Sequence, residues 1–317
     1  MRVLIYGFGR MGLTHFAILN SIAAEIEFTI IEPNKILRMI LKRNIRSKIL
    51  VSDASLKDPF DITIITTPPF VHNELLNKSI ERGDKKIFVE KPFGGHTNLN
   101  GIRGSDSNLV GVGYVLRFNP CIQWVKANID PRDIKSIHGQ YLSNTIEKKP
   151  TGWRNGSFSG VLNEMGSHII DLIQYIIGTS EMAVLSAKTE SVITDVDDIV
   201  EASLRAKTET LVSIYLNWVK KDVRKPVFGI DIFMKSGIQY AIDQQQINKY
   251  SVDKDLIEKI SVVDLAKDIP FYLRGVDFSE QMVDLVGNQD IMATANDALG
   301  VNGIMSEILN YENNTRR

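Results

Sequence analysis

The chain opens on a strand-like run, residues 2–6 (RVLIY), apolar without a break from Val3 to Tyr6, followed by a glycine-containing turn, a stretch of helical period over residues 10–21 and a second β-branched run over residues 27–31. An apolar run without polar alternation marks a strand buried on both faces, and a 3.6-residue period behind it marks a covering helix. The alternation continues through residues 61–66 (DITIIT), a strand stopped by Pro68 and Pro69. Proline suits a first helical turn, so residues 70–82 are expected to be helical and to end at Gly83. Residues 86–89 and 109–114 complete the strands of this region, and the Gly-, Ser- and Asn-rich residues 94–108 between them are expected to form a loop.

Beyond Asn119 the pattern changes. A helix over residues 122–128 leads into strand-like segments at 134–142, 182–189, 199–206, 211–218, 228–234 and 238–242, with one strong helical pattern at 162–177 closed by Gly178. Two further helices are expected at 277–286 and 293–311. Strands that follow one another without intervening helices predict an antiparallel or mixed sheet. With so few helices to cover it, one face of that sheet is expected to be apolar and to bind a second subunit, giving a homo-oligomer, dimer or tetramer, through the C-terminal sheet.

Gly7, Gly9 and Gly12 form a G-x-G-x-x-G turn directly behind the first strand, and Glu32 follows at the end of the second strand. In this setting the first glycine permits the tight turn, the second admits a pyrophosphate, and the third lets helix and strand pack closely. Phe8, Arg10 and Met11 complete the turn, whose N–H groups would face the phosphates. A carboxylate at position 32 accepts hydrogen bonds from ribose hydroxyls and repels a 2′-phosphate, which favours NAD over NADP. Arg38 and Lys42 are the nearby cations that could pair with such a phosphate. The fold class expected is α/β: an N-terminal Rossmann dinucleotide-binding domain over residues 1–118, and a C-terminal α+β substrate and oligomerisation domain over residues 119–317. The second is built on a mostly antiparallel open sheet, and its last helix is expected to pack back on the first domain.

Composition narrows the partners. The 317 residues carry 37 basic and 38 acidic side chains, a net charge of −1, so no global field draws in nucleic acid or an anionic membrane. A small-molecule partner is expected. The single cysteine, Cys121, cannot form an internal disulfide, and no spacing suggests a metal site. With no apolar leader or membrane-length run, a cytoplasmic location is expected. The polar end, YENNTRR, is expected to fray.

Three further segments carry candidate chemistry: TTPPFVH after one strand, EKPFGG after the next, and GVLNEMGSHIID at the start of the 162–177 helix. They are expected to meet where the strands of the first domain deliver their carboxyl ends. His168 has the proton affinity suited to accept the proton of an alcohol, and Glu164, four residues earlier, shares its helix face, with Asp171 placed to orient the ring. Glu164 is equally readable as a cap of the helix start beside Asn163. Lys91 would hydrogen-bond the reacting oxygen. His72 reads either as a cofactor contact or as a helix-end histidine facing solvent. Trp153 and Arg154 lie in a glycine-rich loop suited to a substrate wall, although the tryptophan is as readily a packing residue. Lys220, Lys221, Arg224 and Lys225 read as a solvated turn.

The N-terminal G-x-G-x-x-G, the Thr67–His72 spacing, the triplet Glu90-Lys91-Pro92, GYVLRFNP and the G-V-L-x-E-x-G-x-H-x-x-D segment, in this order, resemble the glucose-fructose oxidoreductase, inositol dehydrogenase and rhizopine-catabolism (Gfo/Idh/MocA) family over essentially the whole chain. The resemblance implies a two-domain NAD-dependent oxidoreductase that moves hydride between a nicotinamide and a hydroxyl-bearing carbon of a sugar, polyol or nucleotide sugar. It assigns catalysis to Lys91, His168 and Glu164. Cofactor contact falls to the glycine turn, Glu32, Thr67, Pro68, His72, Glu90 and Lys91, and substrate contact to Arg117, Trp153 and Arg154. Glu164 departs from the family's usual aspartate, keeping its charge on a longer arm. Two other readings share the fold: a non-enzymatic NAD-binding regulator, and a glycoside-processing enzyme that recycles its NAD.

Overall fold

The structure, a computed structural model, describes residues 1–23, 25–93, 109–151, 159–265 and 275–315, with side chains as far as Tyr311. The expected loop at 94–108 and the candidates Trp153 and Arg154 lie outside the described residues. The chain divides into two compact units, one of Met1–Phe118 with Asp268–Ala298 and one of Asn119–Lys267 with Leu299–Arg317.

The first unit runs β1 (Arg2–Tyr6), α1 (Arg10–Ile22), β2 (Glu27–Ile31), α2 (Lys35–Asn44), β3 (Lys48–Leu50), β4 (Ile62–Ile65), α3 (His72–Arg82), β5 (Ile87–Val89) and β6 (Val110–Val112). The second unit contributes α4 (Pro120–Asn128), β7 (Ile134–Leu142), a helical turn at Leu162–Gly166 continuing into α5 (Ser167–Ile177), and β8 (Met182–Glu190). It goes on with β9 (Ile199–Ala206), β10 (Leu211–Asn217), β11 (Val227–Met234), β12 (Gln239–Ile242), β13 (Gln246–Tyr250), β14 (Leu256–Ser261) and α6 (Val262–Leu265). Finally come α7 (Val276–Val286), β15 (Ala293–Thr294) and α8 (Ala295–Thr315).

The first sheet has the order β3-β2-β1-β4-β5-β6-β15, parallel throughout except for the antiparallel edge strand β15. The strand order reverses between β1 and β4, and this is where an open α/β sheet leaves a crevice at its carboxyl ends. Val3, Leu4, Ile5, Ile64, Ile65, Ile87, Phe88 and Val89 are fully buried, which explains the unbroken apolar runs: both sheet faces are covered. Against one face, Ile18 and Leu19 of α1 and Met282 and Leu285 of α7 share a core with Val3, Ile5 and Phe88. The Lys86 ammonium fastens α7 to the start of β5 by donating to the carbonyls of Leu285 and Val286, 3.0 Å each, and to that of Gly287. A cation on the last carbonyls of a helix satisfies orphan acceptors and offsets the helix dipole.

The expected helix over 293–311 starts two residues late, because Ala293 and Thr294 pair with Val112 and Gly111 as an edge strand. Its backbone continues to Thr315, past the point where the polar end suggests fraying.

The second sheet is eight-stranded, β14-β13-β12-β11-β7-β10-β9-β8, and antiparallel except for the β7–β10 pair. The β13–β14 pair escapes the sequence pattern because QINKY is half-buried at all but one position and LIEKIS is exposed or half-buried throughout, so burial alternation does not mark them. Helix α5 lies on β7: a Cβ at Gly139 would stand 2.6 Å from Ile169 Cγ2 and 3.0 Å from Ile173 Cδ1. On the other side of the central strands Ser213, His138 and Asp231 are half-buried and in register across β10, β7 and β11, with Ser213 Oγ 2.9 Å from His138 Nδ1. The exposed apolar side chains of Leu211 and Phe233, both in register with Ser136, share that face. No described helix is long and apolar enough to cross a membrane.

Candidate functional site

Gly7 holds φ at +80°, a left-handed conformation that a side chain would strain, and its N–H donates to Ile31 O at 2.9 Å. The Thr66 hydroxyl, at the end of β4, reaches Tyr6 O at 3.0 Å and Gly7 O at 2.8 Å. Gly12 is required by contact, since a Cβ there would lie 2.2 Å from Gly7 O. Gly9 is different: a Cβ would meet nothing within 4 Å. Helix α1 starts at this open position with no side-chain cap and no acidic residue in its first turn. The positive end of its dipole is therefore directed at space that an anion can fill.

Glu32 is 7 % exposed and fixed at both carboxylate oxygens, Oε2 accepting from Phe8 N–H at 2.9 Å and Oε1 from Asn34 N–H at 2.8 Å. A carboxylate retains further lone pairs, so acceptor capacity is left over. Arg38 directs its guanidinium to the carbonyls of Glu32 and Pro33, 2.8 and 2.7 Å away. An open helix start, a glycine cradle with room beside Gly9 and an immobilised acceptor at the end of β2 fit the pyrophosphate and ribose of a dinucleotide.

The loops after β4 and β5 are braced by His72. It is 1 % exposed, with Nε2 2.8 Å from Thr67 O and Nδ1 3.2 Å from Pro92 O. Burial holds its pKa below the ordinary histidine value, against the opposing pull of these two carbonyls and of Glu90. The structure thus excludes the solvent-facing reading of this histidine, because α3 begins beneath the two loops. Thr67 Oγ1 is buried without a hydrogen-bond partner among the described residues, and Pro68 is exposed. Lys91 and Glu90 are half-buried, and the Lys91–Pro92 peptide is cis. Glu90 Oε1 lies 2.8 Å from Nε2 of His15, a fully buried residue of α1. Arg117, assigned to substrate by resemblance, is 4 % exposed and pairs with Asp297 at 3.4 Å.

In the second unit, Glu164 and His168 sit at the start of the long helix. The turn Leu162–Gly166 is π-helical, with Ser167 N–H donating to Leu162 O five residues back, instead of the α-helix expected from residue 162. Such wide turns are frequent at functional sites. Between Leu162 and Ile177 every residue is buried except Glu164, His168 and Tyr175, which form one stripe. Asp171 is fully buried. Gly166 allows the turn to sit on β10, since a Cβ there would stand 2.5 Å from Leu216 Cδ1.

The helix start is capped by neither Asn163 nor Glu164. Asn163 donates to Ser159 O, and the cap is Asp197, whose Oδ2 accepts from Leu162 N–H at 2.7 Å while its carbonyl accepts from Val161 N–H at 2.8 Å. Burial pushes the Asp197 carboxyl up to about 6. The adjacent Asp198 would also be raised by burial, but bonds from Thr194, Ile193 and Trp218 outweigh it and hold the carboxyl below its ordinary value.

Sequence reading missed Thr66, His15, Asp197 and Asp198. For His15 the available signal is its place three residues after Gly12, on the α1 face that packs on the sheet. Asp197 carries none, because its partner lies thirty-five residues away.

The model of the GFO/IDH/MocA C-terminal domain matches residues 130–233. No curated protein matches the chain in sequence. Among solved structures the chain is similar to a levoglucosan dehydrogenase in complex with NADH and levoglucosan, at TM-score 0.80 and 19 % identity, covering 98 % of this chain and 96 % of that one. An oxidoreductase domain protein from Kribbella flavida matches at TM-score 0.82 and 19 % identity, with coverages of 99 % and 97 %. The UDP-N-acetylglucosamine 3-dehydrogenase GnnA from Acidithiobacillus ferrooxidans matches at 0.75 and 18 %, with coverages of 97 % and 96 %. The GFO/IDH/MocA C-terminal domain match thus covers residues 130–233, and the fold is shared with these solved structures along nearly the whole length.

Proposed function

We propose that the protein is a nicotinamide-dependent dehydrogenase or reductase acting on a secondary alcohol or ketone of a sugar, polyol or nucleotide sugar, with NAD preferred to NADP. The observation that carries this reading is the uncapped start of α1 above Gly9, set beside a Glu32 carboxylate fixed by two backbone N–H groups. Glu32 would accept from the ribose hydroxyls and oppose a 2′-phosphate, while Arg38 is already engaged with carbonyls. The similarity to a dehydrogenase described in complex with NADH and levoglucosan agrees with this choice of cofactor and substrate class.

The nicotinamide, when bound, accepts or donates the hydride. Lys91, on the loop braced by His72, donates a hydrogen bond to the reacting oxygen and stabilises alkoxide charge as it develops. His168 takes the hydroxyl proton in oxidation and returns it in reduction. Glu164, on the same stripe, hydrogen-bonds substrate hydroxyls or the His168 ring. Arg117 anchors its loop through Asp297.

Absorbance of the reduced cofactor across free inositols, aldoses and nucleotide-linked sugars identifies the substrate class. With that substrate, Lys91→Ala and His168→Gln each lower kcat by about 10²- to 10⁴-fold while NADH affinity stays near wild type. Retained turnover in Lys91→Ala rejects its role, and a lower KM for NADP than for NAD rejects that of Glu32.

A further inference from the structure

His15 is fully buried in α1, and no step described above uses it. Its Nε2 meets Glu90 Oε1 at 2.8 Å, its ring contacts Phe88 edge-on with centroids 5.0 Å apart, and its Nδ1 has no partner among the described residues. An imidazole held by one nitrogen, with the other orphaned in the core, is a poor packing choice. A leucine or methionine would join α1 to β5 without that cost. What the histidine adds is a hydrogen bond to a carboxylate.

The carboxylate is confined on its other side too. At Gly113, just past β6, a Cβ would stand 2.9 Å from Glu90 Oε2 and 3.2 Å from Phe88 Cζ, so the glycine leaves a slot of carboxylate width. Glu90 adjoins Lys91 in the chain, and its side chain is 14 % exposed.

We propose that His15 is a positioning residue that holds the Glu90 carboxylate as a fixed negative charge next to Lys91, and that this charge biases the nicotinamide pocket toward the oxidised, cationic ring. The inference rests on the nicotinamide reading above. The oxidised ring carries a positive charge that the reduced ring lacks, so a nearby immobile anion favours the oxidised form. A carboxylate free to swing into water would be screened.

The test is equilibrium binding of NAD⁺ and NADH to wild type, Glu90→Gln, His15→Ala and His15→Gln, by calorimetry and nicotinamide fluorescence, with thermal melts alongside. Glu90→Gln, which keeps the side-chain shape, is expected to lower the affinity ratio NAD⁺ to NADH about tenfold. His15→Ala moves the ratio the same way by at least about threefold, and His15→Gln, which retains a donor for Glu90, restores most of it. Equal losses for both cofactor forms, or none, in Glu90→Gln overturn the proposal even if His15→Ala does not fold. Wild-type protein that binds neither dinucleotide overturns the nicotinamide reading itself.

Discussion

Two helix starts carry the candidate chemistry, and they are built in opposite ways. Helix α1 begins uncapped, exposed at Gly9 and Arg10, its glycines set by contacts with Gly7 and Thr66. The helix of Glu164 and His168 begins closed, with Asp197 on the Leu162 N–H and the chain buried on every side but one stripe. An open start offers backbone N–H groups to an anion, so function resides in the main chain. A closed start spends those groups internally and becomes a rigid platform for side chains.

The sharpest way to break this comparison is at the glycines. Gly12→Ala drives a methyl into Gly7 O and is expected to destabilise the first unit by about 3 kcal/mol and to abolish dinucleotide binding. Gly9→Ala meets no chain atom, so thermal melts should match wild type while NADH affinity falls about tenfold or more. Equal loss of stability in the two variants would show that the Gly9 position serves folding and not a ligand.

At the closed start the expected effect is smaller and depends on pH. The folded-state pKa of Asp197, about 6, lies above the unfolded value of roughly 3.9. Its contribution to stability is therefore fully present below about pH 4 and is lost as pH rises through 6. Asp197→Asn keeps an acceptor for Leu162 N–H and removes the ionisation. Melting curves should show it near wild-type stability at pH 4.5 and more stable at pH 8, by about 1–2 kcal/mol after allowance for partial solvation. A stability difference that does not change with pH would remove Asp197 as the titrating cap.

The smallest effect concerns a helix end away from both starts. Lys86→Met strips the ammonium from the last carbonyls of α7, and chemical denaturation should show a loss of about 1 kcal/mol with cofactor affinity unchanged. A fall in NADH affinity would mean that α7 influences the dinucleotide site.

The sequence by itself determined the parts whose causes are local. Apolar runs marked β1, β4 and β5; Gly7, Gly9, Gly12 and Glu32 marked the turn and the strand end; four-residue spacing put Glu164 and His168 on one stripe. Only the tertiary structure decided what depends on residues distant in the chain. It placed 276–298 with the first unit, ended the sheet with Ala293–Thr294, turned His72 inward as a brace, capped the site helix with Asp197 and paired His15 with Glu90. Periodicity and turn chemistry act over a few residues and are written in them. A hydrogen bond between a buried ring and a carboxylate seventy-five residues away exists only after the sheet has brought them together.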